Sequence, residues 1–323
     1  MKLVCYDAGG GPRAGAIVED AVVDISALFR TAEPLRDVQA FLELPGEPIE
    51  RLRDALAAGQ LAEPVPLAGV RLRAPVLQPP TVRDFFAFES HASGDGARQL
   101  SDAWYRLPIF YFSNTLRIFG PDDEVPFPSA SNRLDYELEL GCVIGREGTN
   151  VSEADAIDYI AGFTIFNDWS ARDLQYDERA AGLGPAKGKD AATSLGPCVV
   201  TADEMAPYLR DGRLHVRCTL RVNGEQWMDG HAGGMHHTWG AFVERASRDS
   251  RIVPGDVFGS GTVGGGTVGE AIRKGYKARY LQPGDVVEME IEGIGVLRNT
   301  LGPKIGEDPN YRYKAPPMPE LWP

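Results

Sequence analysis

Acidic and apolar residues alternate without interruption from Leu134 to Leu140. This period-two pattern predicts a β-strand with Asp135, Glu137 and Glu139 on one face and the apolar side chains on the other. Carboxylates spaced about 7 Å apart along one face repel each other unless water or a cation lies between them. Because such oxygen ligands suit Mg²⁺, Ca²⁺ or Mn²⁺, the run predicts either a divalent-metal site or an edge strand whose acidic face lies in water.

Two more positions could supply groups for the same chemistry. Asp168 follows the largely apolar run 159–166, where it is a helix N-cap, an i,i+4 partner of Arg172, or a further oxygen ligand at a strand end. His91 follows Asp84 and an aromatic segment. It is either a hydrogen-bonded structural group or a general base, which would need an orienting acid and a nearby metal or substrate.

Two glycine-rich segments fall short of nucleotide-binding motifs. The segment Gly182–Lys189 lacks the Walker spacing. Residues 264–269 match Gly-x-Gly-x-x-Gly literally, but no βαβ unit surrounds them, which argues against a dinucleotide site. Glycines between 259 and 269 could instead let the backbone approach a ligand closely, with Thr262 and Glu270 as the polar groups of the segment.

Three of the histidines, His231, His236 and His237, lie close together in the sequence and could be a metal-binding cluster. Glycines and the pair Thr238-Trp239 flank them, and this setting favours a loop or the start of a helix instead.

Composition limits the possible partners. The chain has 323 residues, and its 46 acidic and 33 basic side chains give a formal net charge of −13. This balance argues against nucleic acid or an anionic membrane as the main partner. No apolar run approaches the roughly 20 residues of a membrane helix, and no secretion signal is evident. The 4 cysteines are scattered, so we expect reduced thiols in a cytoplasmic protein rather than disulfides or a zinc site.

The predicted secondary structure that positions these residues differs between the N-terminal part of the chain and the rest. Residues 1–72 predict a small domain with short strands, glycine-rich turns and two helices. The proline-containing stretch Pro64–Pro80 indicates the connection into a second domain, residues 73–323. That domain is predicted to be β-rich without the alternating βαβα order of a doubly wound sheet. The predicted fold class is therefore mixed and β-rich (α+β), a sandwich or roll of mixed sheets.

Individual elements follow from the periodicity of apolar residues. The predicted strands lie at 1–6, 14–18, 21–25, 135–143, 159–167, 198–200, 214–222, 256–260 and 286–291. The predicted helices lie at 38–44, 47–59, 153–158, 170–181 and 238–247.

Several segments, taken in their order, resemble the fumarylacetoacetate hydrolase family. The segment from Asp84 to His91 resembles the family's Asp-x6-His segment, and Glu137-x-Glu139 resembles its metal-binding strand. Residues 167–175, Asn-Asp-Trp-Ser-Ala-Arg-Asp-Leu-Gln, are nearly the family signature, and 183–189 and 260–263 follow in the expected order. The resemblance implies a mixed β-sandwich roll with a small N-terminal β-rich domain, usually forming a homodimer.

The resemblance also implies a metal centre. Its ligands would be Asp84, Glu137, Glu139 and Asp168, holding Mg²⁺ (or Mn²⁺ or Ca²⁺). Asp135 then becomes a neighbour of the metal site rather than a ligand.

The family pattern further implies catalytic and substrate-binding residues. His91 would be the general base on water, with Glu270 as the acid that orients it. The residues implied to face the substrate or its developing charge are Phe86, Arg172, Gln175, Lys189 and Thr262.

Two departures from the family pattern bear on the substrate. Phe86 stands where fumarylacetoacetate hydrolases proper place a tyrosine, and Arg179 falls near another substrate-facing tyrosine position. A third departure concerns the base, because Gly94 stands three residues after His91, where the acylpyruvase-type arrangement has an acid. This difference favours Glu270 as the orienting acid.

The implied substrate is a small-molecule keto acid. A 1,3-dicarbonyl compound chelates a hard cation through two oxygens, which polarises one carbonyl and stabilises the enolate released when the C–C bond breaks. We therefore expect a metal-dependent hydrolase of a β-diketo acid that is fumarylacetoacetate- or acylpyruvate-like. The alternatives are an isomerase or decarboxylase of a 2-oxo diacid and a metal-binding scaffold without catalysis. A lid is expected within Ala92–Arg106.

Overall fold

The computed structural model describes residues 1–304 and 306. Its strands, numbered in chain order, are β1 (Lys2–Asp7), β2 (Pro12–Val18), β3 (Ala21–Asp24), β4 (Val65–Pro66), β5 (Arg71–Arg73), β6 (Val82–Phe85), β7 (Phe110–Ser113), β8 (Ile118–Phe119), β9 (Glu124–Phe127), β10 (Leu134–Asp135), β11 (Leu138–Ile144), β12 (Ile160–Asp168), β13 (Ser170–Ala171), β14 (Thr193–Thr201), β15 (Leu209–Arg210), β16 (Arg213–Leu214), β17 (Arg217–Val222), β18 (Glu225–His231), β19 (Val257–Gly259), β20 (Val286–Ile291) and β21 (Gly295–Lys304).

The helices are short and connect or cover these strands. They are α1 (Ile25–Phe29), α2 (Val38–Leu42), α3 (Pro48–Ala57), α4 (Glu89–Ser93), α5 (Asp102–Arg106), α6 (Arg172–Ala180), α7 (Ala202–Met205), α8 (Trp239–Ser247) and α9 (Val268–Arg273). None of the helices in the described ranges is long and apolar enough to cross a membrane.

Two sheets organise the molecule. The larger sheet has 12 strands, in the order β4-β3-β2-β1-β14-β12-β11-β19-β6-β7, with β5 beside β1 and β8 beside β14. The smaller sheet has 5 strands, in the order β18-β17-β20-β21-β9. Parallel pairs such as β19 with β6 occur beside antiparallel ones such as β11 with β12. The predicted mixed, strand-rich α+β class is confirmed.

Strand β11 runs through the centre of the structure. It pairs with β12 on one side and β19 on the other, and every one of its residues is buried. Leu140 and Cys142 belong to a large hydrophobic cluster shared with the smaller sheet and α8, whereas Val143 belongs to a second cluster shared with α2 and α3. Because apolar groups cover both faces of this strand, the acidic residues at its beginning are kept away from bulk water.

The N-terminal strands extend the larger sheet. Strand β1 pairs antiparallel with β14, where Lys2 lies opposite Val200 and Leu3 opposite Val199. The boundary near residue 72 stays a prediction. Of the predicted second domain, residues 305 and 307–323 lie outside the described residues.

The acidic run that alternates so regularly is not one strand. Strand β10 ends at Asp135 and β11 begins at Leu138. Between them, the Glu137 N–H donates to Asn167 Oδ1 at 3.1 Å and the Glu137 carbonyl accepts from the Asp168 N–H at 3.2 Å, so side-chain and end-of-strand contacts replace regular pairing. The predicted separation of faces holds, because the apolar residues of the run all lie in the large hydrophobic cluster.

Other predicted elements differ mainly at their ends. The predicted helix 153–158 is wrong as an α-helix, since only the 3₁₀ turn Ala156–Tyr159 forms there. The predicted strand 214–222 is divided between β16 and β17. Strands β4 to β9, β13, β15, β18 and β21 were not predicted, and neither were helices α4 and α9.

Candidate metal centre and active site

Three carboxylates from separate strands meet at one end of the larger sheet. Asp84 in β6, Glu139 in β11 and Asp168 at the end of β12 each place one carboxylate oxygen within 4.8 Å of the others. The strand order β12-β11-β19-β6 brings them together across β19. All three side chains are buried. Because Glu139 belongs to the acidic run 134–140, the alternative of an edge strand whose acidic face lies in water is wrong.

Strand β19 leaves room for these carboxylates because it ends in Gly259. A Cβ atom at this position would lie 2.5 Å from Asp84 Oδ1 and 2.8 Å from Glu139 Oε2, closer than real contacts allow. The glycine therefore permits the two acids to approach each other over the backbone of the intervening strand.

The donor set fits a hard divalent cation. Asp84 Oδ1 and Asp168 Oδ1 are buried and accept no hydrogen bond from any described residue. Burial, and after it the neighbouring carboxylates, raise the pKa of Asp84 and of Glu139 well above the usual range. Buried acids with open lone pairs are the ligands that Mg²⁺, Mn²⁺ or Ca²⁺ takes in proteins, and a cation would offset their mutual repulsion.

Glu137, the fourth predicted ligand, lies outside this group of three. Its Oε1 is 2.7 Å from Arg172 Nη1 and its Oε2 is 2.7 Å from Lys189 Nζ. Although burial opposes its ionisation, these two cations hold the pKa of Glu137 far below its ordinary value. Glu137 is thus an ionised carboxylate that is paired with two cations.

Lys189 brings a positive charge into the same buried region. Its Nζ contacts Asp168 Oδ2 and donates to Ser170 Oγ at 2.6 Å, in addition to its contact with Glu137. Burial favours the neutral amine, but Asp168 and Glu137 raise the pKa of Lys189 above its ordinary value. The ammonium group is therefore held charged beside the site.

Tyr111 is a site residue that the sequence did not reveal. Its hydroxyl lies 2.7 Å from Asp84 Oδ2 and also contacts Asp168 Oδ2. The contact follows from the sheet register, because Tyr111 in β7 lies directly opposite Asp84 in β6. Burial and then the charges of Asp168 and Asp84 raise the pKa of Tyr111 well above its ordinary value. The only sequence signal was a polar hydroxyl within the aromatic run Phe110–Phe112.

The predicted base and its orienting acid are in contact. His91 Nδ1, on α4, lies 3.0 Å from Glu270 Oε1, on α9. Glu270 is fixed on its other side, where Oε2 accepts from the Gly265 N–H at 3.2 Å and from Thr267 Oγ1 at 3.1 Å. Burial raises the pKa of Glu270, but the hydrogen bonds from His91 and Thr267 and the charge of His91 bring it below its ordinary value.

Arg172 and Gln175 form a supporting pair on α6. Arg172 Nε donates to Asp135 Oδ2 at 2.7 Å and its Nη1 donates to Gln175 Oε1 at 3.0 Å. Asp135 also accepts from the Val268 N–H at 2.9 Å, so it is committed to a cation and a helix start, as expected for a neighbour of the site. With its oxygen occupied by Arg172, the amide NH₂ of Gln175 remains available to a ligand.

A cavity of about 220 Å³ opens onto Asp84 and Glu139, two of the three clustered carboxylates. It is lined by predicted residues from several elements, namely Asp84, Phe86, His91, Glu137, Glu139, Gln175, Lys189 and Thr262. Arg172, Asp168 and Glu270 lie behind these side chains rather than on the cavity wall. Ile109, Phe110, Pro185 and Arg179 complete the wall away from the acids.

Phe86 and Thr262 hold two of the site residues in place. Phe86 packs edge-on against His91 with ring centroids 5.5 Å apart, and Thr262 Oγ1 lies 3.4 Å from Glu139 Oε1. Nearby, the Gly261 N–H donates to Glu139 Oε2 at 2.9 Å. This contact shows the close backbone approach that the glycine-rich stretch had suggested.

The structure decides between alternatives that the sequence left open. Helix α6 is capped by Ala171, and Arg172 pairs with Asp135 and Glu137, so Asp168 is neither the N-cap nor the partner of Arg172. No βαβ unit follows residues 264–269, since the next strand, β20, belongs to the other sheet.

The side chains of the three clustered histidines make hydrogen bonds to the backbone. His231 accepts from the Gly233 N–H, and the rings of His236 and His237 contact the carbonyl oxygens of Tyr105 and Trp104. Within the described part of the chain, a metal-sized group of acids or histidines forms at Asp84, Glu139 and Asp168 and not here.

Comparisons with known proteins agree with this geometry. Residues 81–302 match the model of the fumarylacetoacetate (FAA) hydrolase C-terminal family. The chain is 30% identical to the mitochondrial oxaloacetate tautomerase fahd2 of Xenopus laevis over 93% of its length and 89% of the relative's.

Two solved structures are similar over most of the chain. A 5-carboxymethyl-2-hydroxymuconate delta-isomerase from Mycobacterium smegmatis is 26% identical with a TM-score of 0.68, and 94% of this chain and 99% of that one are covered. A fumarylacetoacetate hydrolase from Exiguobacterium antarcticum is 26% identical with a TM-score of 0.71, at 94% and 99% coverage. The family match spans most of the chain and contains the acids, the base and the cations described above, and the protein therefore belongs to the fumarylacetoacetate hydrolase family.

Proposed function

We propose that this protein is a divalent-metal-dependent hydrolase that cleaves a carbon–carbon bond in a β-diketo acid. One observation carries the proposal: His91, which is held by Glu270, lines the same small cavity as Asp84 and Glu139, two of the three clustered carboxylates, and Asp168 lies directly behind them. A base held by an acid, next to a cation site, is the combination needed to direct water at a chelated carbonyl.

Asp84, Glu139 and Asp168 would hold Mg²⁺ or Mn²⁺ (or Ca²⁺), with Glu137 as a fourth carboxylate close by. When bound, such a cation polarises the attacked carbonyl and stabilises the negative charge of the leaving enolate. Mg²⁺ acidifies water less than Zn²⁺ does, so a separate base is needed. His91 supplies it.

The chain's own residues account for the proton transfers. His91 takes a proton from water, and the resulting hydroxide attacks the acyl carbonyl carbon. Gln175 donates a hydrogen bond to the oxygen that becomes negative, such a donor being worth about 3 kcal/mol, and the Lys189 ammonium stabilises the developing charge electrostatically. The bond between that carbon and its neighbour then breaks, which releases a carboxylic acid and an enolate that takes up the proton held by His91.

Arg172 contributes indirectly. It lies behind Gln175 and Glu137 rather than on the cavity wall, so we assign it to positioning these two side chains. This role differs from the direct substrate contact implied by the family resemblance.

A second candidate is an isomerase, tautomerase or decarboxylase of a 2-oxo diacid. It is favoured by relatives that carry such activities in their names, an oxaloacetate tautomerase and a delta-isomerase. In an isomerase or tautomerase, His91 would move a proton between carbon and oxygen of the substrate, and no water would be added.

The two candidates differ in their products. A ¹H NMR time course on acylpyruvates and on oxaloacetate, with Mg²⁺ or Mn²⁺ and again with EDTA, separates them. Pyruvate plus a free carboxylic acid, formed only with metal, supports hydrolysis. Enol–keto exchange, a shifted double bond or loss of CO₂ without added water assigns the second candidate, and turnover unaffected by EDTA contradicts both.

The family also leads us to propose a homodimer. Sedimentation velocity at micromolar concentration tests it, because a single species at the mass of one 35.1 kDa chain would contradict a dimer.

A further inference from the structure

The cavity contains a cation that has no partner. Arg179, in the last turn of α6, lines the cavity together with Gln175, Lys189 and Pro185. Its guanidinium group makes no hydrogen bond or ion pair with any residue in the described ranges. The other cations near the acids are committed, since Lys189 contacts Glu137 and Asp168.

Two carboxylates close to Arg179 in sequence or on the same cavity wall are engaged elsewhere. Glu178, its neighbour in sequence, accepts from the backbone N–H groups of Ala186 at 2.9 Å and Gly188 at 3.1 Å and so holds the loop that follows α6. Glu137 is occupied by Arg172 and Lys189. The fold therefore supplies Arg179 with no counterion, although it lies in a wall that contains acids.

Two further cations lie close enough to affect it. Desolvation and then the charge of Arg172 lower the pKa of Arg179 below its ordinary value, with Glu137 opposing this shift and Arg98 adding to it. Arg98 belongs to the segment between α4 and α5, and its Nε donates to the Ala92 carbonyl at 2.6 Å. Because Glu137 is already paired with Arg172 and Lys189, the charge of Arg179 makes this part of the cavity favourable for an anion.

The rest of the outer wall is apolar. Phe86, Ile109, Phe110 and Pro185 line the cavity together with Arg179 and the acids. A ligand that fits here would have a short carbon chain against these side chains and a negative group at its far end. The volume of about 220 Å³ restricts it to a small molecule.

We propose that Arg179 binds a second carboxylate of the substrate, so that the cavity takes 2-oxo dicarboxylic acids in preference to 2-oxo monocarboxylic acids. The inference rests on the proposed function for the placement of the 2-oxo acid end at Asp84, Glu139 and Asp168. The distal carboxylate would accept hydrogen bonds from the planar guanidinium, a pairing that is frequently bidentate. Arg179 would thus determine the class of acid without taking part in the chemistry.

The test compares two ligands that differ only in the distal carboxylate. Isothermal titration calorimetry of the Mn²⁺-loaded protein measures binding of 2-oxopentanedioate and 2-oxopentanoate, and then of the six-carbon pair. The wild-type protein is expected to bind the diacids about tenfold or more tightly, in line with a charge-assisted hydrogen bond. Arg179→Met should lose most of this difference and bind the monoacids within about twofold of wild type.

Two variants serve as controls. Arg179→Lys keeps the charge but not the planar fork, so it should retain part of the preference. Arg210→Met removes an equally exposed arginine on the β15–β16 hairpin and changes the net charge by the same amount. It should leave the affinity for both ligands unchanged. An unchanged thermal denaturation curve of each variant establishes that the fold is intact.

Several outcomes would overturn the inference. The first is equal affinity of the wild type for diacid and monoacid. The second is an equal decrease of both affinities in Arg179→Met. The third is that no diacid binds to the Mn²⁺-loaded wild type. The measurement is independent of turnover, so a diacid preference that depends on Arg179 stands even if no carbon–carbon bond is cleaved. Conversely, metal-dependent cleavage with unchanged kcat/KM for diacid substrates in Arg179→Met would contradict the Arg179 site and leave the proposed hydrolysis intact.

Discussion

The imidazole of His91 and the carboxylate of Glu270 lie 3.0 Å apart, although the two residues are 179 positions apart in sequence. Helices α4 and α9 carry them to the same side of the cavity, and the Thr267 hydroxyl and the Gly265 N–H hold the far oxygen of Glu270. The acid is thereby fixed and ionised, as an orienting partner for a general base must be.

Glu270→Gln should lower kcat by roughly 10- to 100-fold, because the amide keeps the shape of Glu270 but loses the charge that stabilises protonated His91. The double variant His91→Ala/Glu270→Gln should lose no more activity than His91→Ala alone, since the two residues act as a unit. Steady-state kinetics of the three proteins measures this. Glu290→Gln, which changes the exposed side chain of β20, is the matched control, and additive losses in the double variant would refute the pairing.

Tyr111→Phe should destabilise the metal-free protein more than the metal-loaded one. The hydroxyl contacts the Oδ2 atoms of Asp84 and Asp168. Its removal leaves Asp84 Oδ2 without this donor, at a cost of about 1–3 kcal/mol, whereas Asp168 Oδ2 keeps its contact with Lys189 Nζ. A bound cation would replace that donor. Differential scanning calorimetry should therefore show a larger increase in Tm on adding Mn²⁺ for Tyr111→Phe than for wild type. An identical increase in both proteins would argue against this role of the hydroxyl.

Replacing carboxylates of the acidic run by amides should distinguish a metal ligand from a residue that only lies near the metal site. Glu139→Gln is expected to weaken Mn²⁺ binding by about 100-fold or more, whereas Asp135→Asn should change it by less than about tenfold, because Asp135 is committed to Arg172 and the Val268 N–H. Mn²⁺ titrations followed by electron paramagnetic resonance measure both.

Glu137→Gln completes this series. If Glu137→Gln weakens Mn²⁺ binding as much as Glu139→Gln does, then Glu137 leaves Arg172 and Lys189 to bind the cation, as the family resemblance implies. If Mn²⁺ binding is weakened only slightly, Glu137 remains paired with Arg172 and Lys189, as in the structure.

Asp24 should make the stability of the N-terminal strands depend on pH. Its carboxylate accepts from Tyr6 Oη at 2.7 Å, Arg13 Nη1 at 3.2 Å and the Ala27 N–H at 2.9 Å. Burial raises the pKa of Asp24, but these donors bring it below 3.8 overall. The stabilisation is therefore complete above the unfolded-state value and is lost as the pH falls through the lower, folded-state value.

Asp24→Asn should accordingly lower the free energy of unfolding by about 1–3 kcal/mol at pH 7. The difference from wild type should shrink as the pH drops below 3.8. Urea denaturation of both proteins across this range measures it, with exposed Asp20→Asn as the control. A difference independent of pH would contradict an electrostatic role for Asp24.

The sequence by itself determined the ligand types and most of the strands that carry them. The alternation from Leu134 to Leu140 predicted which side chains enter the core, and the separation of apolar from acidic residues is confirmed. Order along the chain also identified the family, because its motifs are local and each contains the residues that do the chemistry. These features depend on neighbours in sequence, and periodicity reports them directly.

Only the tertiary structure decided which groups meet. The pairing of β7 with β6 places Tyr111 on Asp84, and the arrangement of cations separates Glu137 from the other carboxylates. Because Glu178 and Glu137 have other partners, Arg179 has no ion-pair partner in the described part of the chain. Sheet register and long-range ion pairs arise between segments that are far apart in the chain. Local propensity has no information about them, because the partner of each group is chosen by packing.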